Sequence, residues 1–340
     1  MASNNSNSSS FPSFLLMGFF ETEVTQLWIS IPLCFLYLLS VLGNGLIMFI
    51  VKTESHLSEP MYLFLSMLSA TDVGLTLSTL PTVLSVFFFD IRNINFFGCL
   101  TQLFLIHSLS STGSALLVAM AFDRYVAVCN PLRYASILHP MISKIGLVAL
   151  ARGACIHFPL PFLLKRLPYC GNNKLYHAFC FHPDVMKLAC ADTTINSTYG
   201  LVLVLCTFLL DSLFILTSYL LILKTALKVT SKGECLKAFS TCVSHICVVL
   251  TFYIPLIGLT LAHRYGKDAS PVLHVAMGLA YLCVPPALNP IIYSMKTRKI
   301  KTAIWKYMST DTRWKHHANS SDARTKSIST VHSQAFGNEH

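Results

Sequence analysis

The chain has 340 residues, 54% of them hydrophobic and 12% charged, with a mean hydropathy of +0.59. An ordinary soluble domain carries about 25% charged residues. Half that amount does not make a water-facing shell, and an apolar chain is not a disordered one, so a soluble enzyme and a disordered protein are both excluded. The net charge of +10 does not indicate nucleic acid, which needs a clustered basic face.

Residues 1–26 contain no charged start followed by an apolar stretch and a cleavage site, so no removed signal peptide is expected. Asn4-Asn5-Ser6 and Asn7-Ser8-Ser9 are glycosylation sequons, which makes Asn4 and Asn7 candidate glycan carriers. Asn196-Ser197-Thr198 is a third sequon, close to an apolar run. Seven stretches follow that are almost free of Asp, Glu, Lys and Arg: 27–51, 61–89, 97–128, 142–164, 199–227, 236–262 and 271–295. Each exceeds the roughly 20 residues a helix needs to cross the hydrocarbon core. Backbone groups in lipid must bond within their own segment, so helices are expected. Pro159, Pro161, Pro255, Pro285, Pro286 and Pro290 interrupt them. No internal repeat is seen.

Seven crossings put the termini on opposite sides. Lys and Arg number seven on the amino-terminal side and seventeen on the other, with Arg152 set inside a span. The richer side is cytoplasmic by the positive-inside rule, so residues 1–26 are expected outside and the net charge is mostly a topology signal. After the last span, Ile300, Ile304, Tyr307 and Met308 recur at helical spacing among Lys296, Arg298, Lys299, Lys301 and Lys306. That pattern predicts an amphipathic helix over 296–308, lying on an anionic leaflet. Residues 309–340 are rich in Ser, Thr, His and Asn and read as a disordered cytoplasmic tail. The fold class is therefore an all-α membrane protein, a seven-transmembrane bundle over 27–295 with a short helix after the last span.

Of twelve cysteines, Cys99, Cys170, Cys180 and Cys190 fall on the outer side, an even number in an oxidising compartment. Four cysteines allow three pairings, and the residues alone do not choose. His177, Cys180 and His182 have the look of metal ligands, but a disulfide-bonded Cys180 removes that reading.

Several ionisable residues lie within spans, where such a residue is a functional candidate by default. Arg152 and Asp211 each lie about a dozen residues, or roughly 18 Å, from the outer end of their spans, which permits a salt bridge between spans four and five. Asp72 lies near the midplane, with Asn44 and Asn289 as candidate partners. Arg124, beside Asp123, stands at the inner end of span three, where separation of the helices exchanges one partner for another.

The residues around Arg124 read Met120-Ala121-Phe122-Asp123-Arg124-Tyr125-Val126-Ala127-Val128-Cys129. Gly43-Asn44, Pro60-Met61-Tyr62-Leu63-Phe64-Leu65, Ser218-Tyr219, Lys237-Ala238-Phe239-Ser240-Thr241-Cys242-Val243-Ser244-His245 and Pro286-Ala287-Leu288-Asn289-Pro290-Ile291-Ile292-Tyr293 stand in the other spans. Together they resemble the rhodopsin-like G-protein-coupled receptors and, within them, the olfactory receptors, in order over about residues 20–308. Leu167-Pro168-Tyr169-Cys170 and the run from Asp184 to Thr193 look like the class I ("fish-like") receptors, and Ala262-His263-Arg264-Tyr265-Gly266 resembles family 51.

The resemblance implies an odorant agonist, a plasma-membrane location and a stimulatory heterotrimeric G protein met through Asp123, Arg124 and Tyr125. It also implies disulfides Cys99–Cys180 and Cys170–Cys190, with Cys99–Cys190 as the alternative. A sodium-linked network of Asn44, Asp72, Asn289 and Tyr293 is implied as well, though Gly113 stands where many relatives carry an acid or hydroxyl. The other reading of Asp72 is a protonated carboxyl held by amides. No other cofactor is expected.

Helical spacing aligns Tyr253, Leu256, Thr260 and Arg264 on span six, and His107, Ser110, Ser111 and Ser114 on span three. If both faces point inward they form an apolar vault with a guanidinium at its mouth, suited to a carboxylate. Ser114 reads as a small packing residue. Two rival functions are a class A receptor for a metabolite or peptide and a transporter. The first is weighed against the short segment 228–234, and the second against the lack of inverted repeats. Span seven has no Lys for a retinal Schiff base, and no catalytic triad stands out, so no enzyme is expected.

Overall fold

The computed structural model describes residues 13–18, 23–227, 232–265 and 270–307. The chain forms two compact units, Met1–Ile292 and Tyr293–His340. The first begins with a short strand, β1 (Ser13–Leu16), followed by α1 (Glu23–Thr53), α2 (Pro60–Phe88), β2 (Asn93–Asn95) and α3 (Phe96–Cys129). Next come α4 (Tyr134–Leu138), α5 (Ile142–His157), α6 (Pro159–Lys165), β3 (Lys174–Leu175), α7 (His182–Lys187) and α8 (Thr194–Val204). A π-helical turn, Leu205–Leu209, joins α8 to α9 (Leu210–Ala226); α10 (Lys232–Tyr265) and α11 (Pro271–Lys296) complete the order.

Seven helices are long and apolar enough to cross a membrane: Trp28–Thr53, Pro60–Phe88, Phe96–Cys129, Ser136–Lys165, Thr194–Ala226, Cys242–Arg264 and Pro271–Met295. These match the seven charge-poor stretches, with the largest shifts at the starts of spans four, five and six. Helices outrun the hydrocarbon wherever the rim supplies partners. Tyr199, near the start of the fifth span, donates to the Ile156 carbonyl at 2.7 Å.

The third span is the axle of the bundle. Asn95 caps it, its side chain accepting from the Gly98 N–H at 2.5 Å. Its residues are buried on nearly every side, from Cys99 and Leu103 to Met120 and Asp123. It packs against α2, α5, α9 and α10, while α1 lies on α2. Small residues permit the closest approaches. A Cβ on Gly43 would stand 2.8 Å from Pro290 of α11, and one on Gly153 of α5 would meet the Ser108 carbonyl of α3 at 2.5 Å. Of the prolines expected to interrupt helices, only Pro159 stands at a junction, and Pro161 lies inside α6. α5 gives way to α6 at Phe158–Pro159, and Pro255 and Pro285–Pro286–Pro290 lie inside α10 and α11.

The small sheet was not anticipated. β1 pairs antiparallel with β2 (Ser13↔Asn95, Phe14↔Ile94, Leu15↔Asn93) and parallel with β3 (Leu15↔Lys174, Leu16↔Leu175). Phe14 and Leu16 alternate inward, and the Phe14 ring meets Phe96 at 5.8 Å and Tyr169 at 5.6 Å. Tyr169 donates to the Leu164 carbonyl, and burial pushes its hydroxyl up to about 12. Four residues whose partners lie some 80 and 160 positions away leave no periodic signal to read.

Both disulfides have the connectivity implied by the family, Cys99–Cys180 and Cys170–Cys190. Asn196, the third sequon, is fully buried; its amide donates to the Leu163 carbonyl and accepts from Arg166. That leaves no room for a glycan. Asn4 and Asn7 lie outside the described residues. In the second unit a helix covers 298–307. Ile300 and Ala303 are buried, Ile304 and Tyr307 are partly covered, and Arg298, Lys299, Lys301 and Lys306 are exposed. Met308 and residues 309–340 lie outside the described residues.

Candidate functional site

A cavity of about 400 Å³ lies among α3, α5, α6, α7, α8, α10 and α11, at the rim that carries the sheet and both disulfides. That volume suits a small organic molecule. Leu160, Leu203, Val204, Phe208, Leu256 and Leu259 make its apolar wall. Its polar groups are few: His107 of α3, His157 of α5, His182 and Lys187 of α7, Ser197 of α8, Thr260, His263 and Arg264 of α10, and Tyr281 of α11. Of the eight residues aligned by helical spacing, His107, Leu256, Thr260 and Arg264 line this space.

Ser110, Ser111 and Tyr253 lie outside the lining. Tyr281 donates to Ser110 at 2.6 Å, Ser111 is fully buried, and Tyr253 shares a 2.8 Å hydrogen bond with Ser114. Ser114, read as a packing residue, donates to the Asp211 carboxylate at 2.7 Å. Arg152 closes on the same carboxylate with both terminal nitrogens at 3.0 Å, joining spans four and five as their similar depth allowed. It also donates to the Thr207 carbonyl, which belongs to the π-helical turn, where the regular ladder is interrupted. One polar network thus ties α3, α5, α9 and α10 together beside the cavity.

The loop over the cavity is held from below and from the side. Gln102 accepts from the Cys180 N–H at 2.9 Å while donating to the Ser78 carbonyl and Thr82. Asp184 accepts from His177 Nδ1 at 2.5 Å and from His263 Nε2 at 3.0 Å, and Lys187 stands 3.9 Å away. Burial pushes the Asp184 carboxyl up, but the hydrogen bonds and charge of His177 and His263 override it and hold it below the usual carboxylate range. The other ring nitrogen of His177 faces the His274 carbonyl at 3.1 Å, a demand that only a ring with both N–H groups meets. The ring also fits against Gly278, where a Cβ would lie 2.5 Å from it. This arrangement, which uses His177 of the metal-like spacing, ties the loop to α10 and α11. Among the described residues no group of three or more His, Cys, Asp or Glu side chains is arranged to hold a metal ion.

Sequence reasoning missed His157, His263, Tyr281 and the loop residues as cavity lining. They come from separate elements, so no single periodicity gathers them. His182 and His263 were visible only inside other motifs.

At the opposite rim Asp123 is fully buried and Arg124 pairs with it through Nε at 2.9 Å and through Nη2. Tyr134 donates to the other Asp123 oxygen at 2.8 Å. Burial and that neighbouring carboxylate raise the Tyr134 pKa. Tyr125 stacks loosely with Phe122. Tyr219 hydrogen-bonds His245 at 2.6 Å. The side chains of Lys237–Ala238–Phe239–Ser240–Thr241 lie outside the described residues.

Near the middle, Asn289 donates to Asp72 at 2.8 Å, whereas Asn44 turns to the Ser40 and Pro286 carbonyls. Tyr293, first residue of the second unit, is buried. A sodium ion takes hard oxygen ligands. The Asp72 carboxylate and two buried amide oxygens without partners, Asn44 Oδ1 and Asn289 Oδ1, are of that kind, and Gly113 adds none from α3. The donor chemistry fits.

The family model described as olfactory receptor matches residues 33–311. Human olfactory receptor 51G2 is 54% identical over 301 residues, 88% of this chain and 96% of that protein. Mouse olfactory receptor 51E2 is 51% identical over 86% of this chain and 92% of its own length. Human olfactory receptor 51G1 is 53% identical over the same shares, 86% and 92%. Seven apolar helices, two disulfides at one rim and an Asp-Arg-Tyr lock at the other agree with that match, and the chain belongs to the olfactory receptor family.

Proposed function

We propose that this receptor sits in the plasma membrane with its N-terminal rim outside, binds a small amphiphile with a carboxylate head, and activates a stimulatory heterotrimeric G protein. The observation that carries the ligand class is Arg264. It lines the cavity, is exposed at the rim, and is in no ion pair among the described residues. The other cation at the cavity, Lys187, is already near Asp184. A guanidinium presents a planar fork that matches a carboxylate, and the leucine-rich wall below takes an aliphatic tail. Thr260, whose hydroxyl donates to the Leu256 carbonyl, leaves an oxygen lone pair rather than a donor, which suits a tail better than an anion.

Signal transfer rests on Asp123, Arg124 and Tyr125. In the state described here Asp123 neutralises Arg124 and Tyr134 steadies the pair. A G protein whose carbonyls replace Asp123 as the partner of Arg124 selects the other state. An agonist shifts that balance only as far as it binds the two states differently. Asp72, Asn44 and Asn289 are the residues that hold sodium in this reading. Replacing sodium with choline outside the cell is expected to change agonist potency, and an unchanged potency rejects the ion.

The test is a chain-length series of fatty acids against a cAMP reporter, in wild type and in Arg264→Ala with surface expression measured. Response to acids in wild type and its loss in the variant are expected. An Arg264→Ala dose–response curve identical to wild type rejects the anchor.

A further inference from the structure

Two imidazoles in the cavity wall have polar atoms with nothing to bond. His107 Nε2 and His182 Nε2 are both buried without a partner, although both residues line the cavity. Only 6% of His182 is exposed. An unpaired buried nitrogen is costly, and such atoms are nearly always satisfied in folded proteins by protein or by something bound. These two come from different elements, α3 and α7, and meet edge to face with ring centroids 6.5 Å apart.

The rings are held where they are. His157 stacks on His107 at 5.8 Å with a 5° angle between planes, and its Nδ1 donates to the Gly153 carbonyl. Gly200 leaves room for His182, whose ring carbon would lie 3.3 Å from any Cβ there. No protein group pairs with either nitrogen, and both residues line the cavity.

The chemistry of that partner is constrained. A neutral imidazole has one N–H donor and one bare acceptor nitrogen. Burial pulls His182 down to about 4, so it is neutral at physiological pH. A carboxylate only accepts, and placing it between two neutral rings would bury an anion away from the cation at the rim. A hydroxyl both donates and accepts, so it serves the pair whenever at least one of the two nitrogens carries its hydrogen.

We propose that the cavity holds a second recognition point, the His107–His182 pair, which binds a hydroxyl of the agonist, so that the ligand class is hydroxylated carboxylic acids rather than plain fatty acids. This rests on the reading of Arg264 as the carboxylate anchor. Apolar tails leave both nitrogens unpaired, whereas a hydroxyl at the far end of the chain pairs them. A site built to hydrogen-bond a hydroxyl discriminates strongly against the analogue lacking it.

The probes are butanoic through dodecanoic acids and their terminally hydroxylated counterparts, each applied to wild type, His107→Phe and His182→Phe with surface expression measured. In wild type, the hydroxy acid is expected to be at least about tenfold more potent than the plain acid at one or more chain lengths. Both variants are expected to erase that preference. Phenylalanine keeps the ring and its packing but removes the nitrogens, so a folding defect shows as lost expression instead. A variant that fails to reach the surface is replaced by His→Gln, which retains a donor and an acceptor and is expected to keep part of the preference. Equal potency of plain and hydroxy acids at every length overturns the hydroxyl site and leaves the anchor standing, with a water molecule as the partner. A preference that survives both His→Phe variants also overturns it. Silence toward every acid overturns the anchor and this inference with it.

Discussion

His182 shows how burial alone sets the state of a residue. Its ring sits in the cavity wall, and its pKa falls to about 4 because the charged form loses its water. An exposed histidine titrates near 6.5. As pH falls from about 6.5 to about 4 the unfolded chain therefore gains a proton that the folded chain refuses. Stability is complete above that window and falls through it, by up to about 3 kcal/mol for this residue. Thermal melting of the purified receptor at pH 7.5 and pH 5 checks this. The drop in Tm is expected to be smaller in His182→Asn than in wild type, and an equal drop contradicts it. Asp184 behaves oppositely. Its folded pKa is depressed, so the stability it contributes is present above the usual carboxylate value and is lost only as pH falls below it. The loop clamp is thus expected to survive the same pH 5 treatment.

The elements are joined by contacts with two distinct demands, close approach and charge pairing. Gly153 has no space for a methyl group, since the Ser108 carbonyl stands 2.5 Å from where it would go. Gly153→Ala is expected to push α5 off α3 and cost about 1–3 kcal/mol, read as a lower Tm; an unchanged Tm contradicts the close approach. Arg152 and Asp211 join α5 to α9. Removing either alone strands the other and is expected to cost on the order of 3 kcal/mol, with surface expression falling in step. Exchanging the two residues is expected to restore part of that loss, and no recovery in the exchanged pair argues against a pairwise role.

At this scale the sequence was most informative where the period was long. Seven charge-free runs located the helices, and equal depth placed Arg152 opposite Asp211. Helical spacing brought His107, Leu256, Thr260 and Arg264 to one space. The same spacing also offered Ser110, Ser111 and Tyr253, which turn toward Tyr281, the core and Ser114. A helix face is wider than the part of it a cavity uses. The path of a loop has no period at all. Phe181, His182 and Met186 reach the cavity because the Cys99–Cys180 bond, Gln102 and the Asp184 clamp hold their segment over it. β1 was hidden for the same reason, since its partners are set by the fold rather than by its neighbours.

Across the whole molecule, the cavity and the Asp123–Arg124 pair stand at opposite rims, and the central helix α3 runs through both. His107 faces the cavity from one end of it, and Asp123 and Arg124 close its other end. Between them, Ser114 on the same helix joins the network that reaches Tyr253 and Asp211. A cavity and a charge lock on one rigid helix allow an occupant at one rim to bias the other without touching it. In the proposed mechanism binding and signalling separate by residue, with Arg264 serving the first and Arg124 the second. The most direct test is binding of a radiolabelled acid agonist to cells bearing Arg124→Ala, with cAMP read in the same cells. Saturable binding close to wild type with no cAMP response is the expected result; lost binding, or a normal cAMP response, would contradict the account.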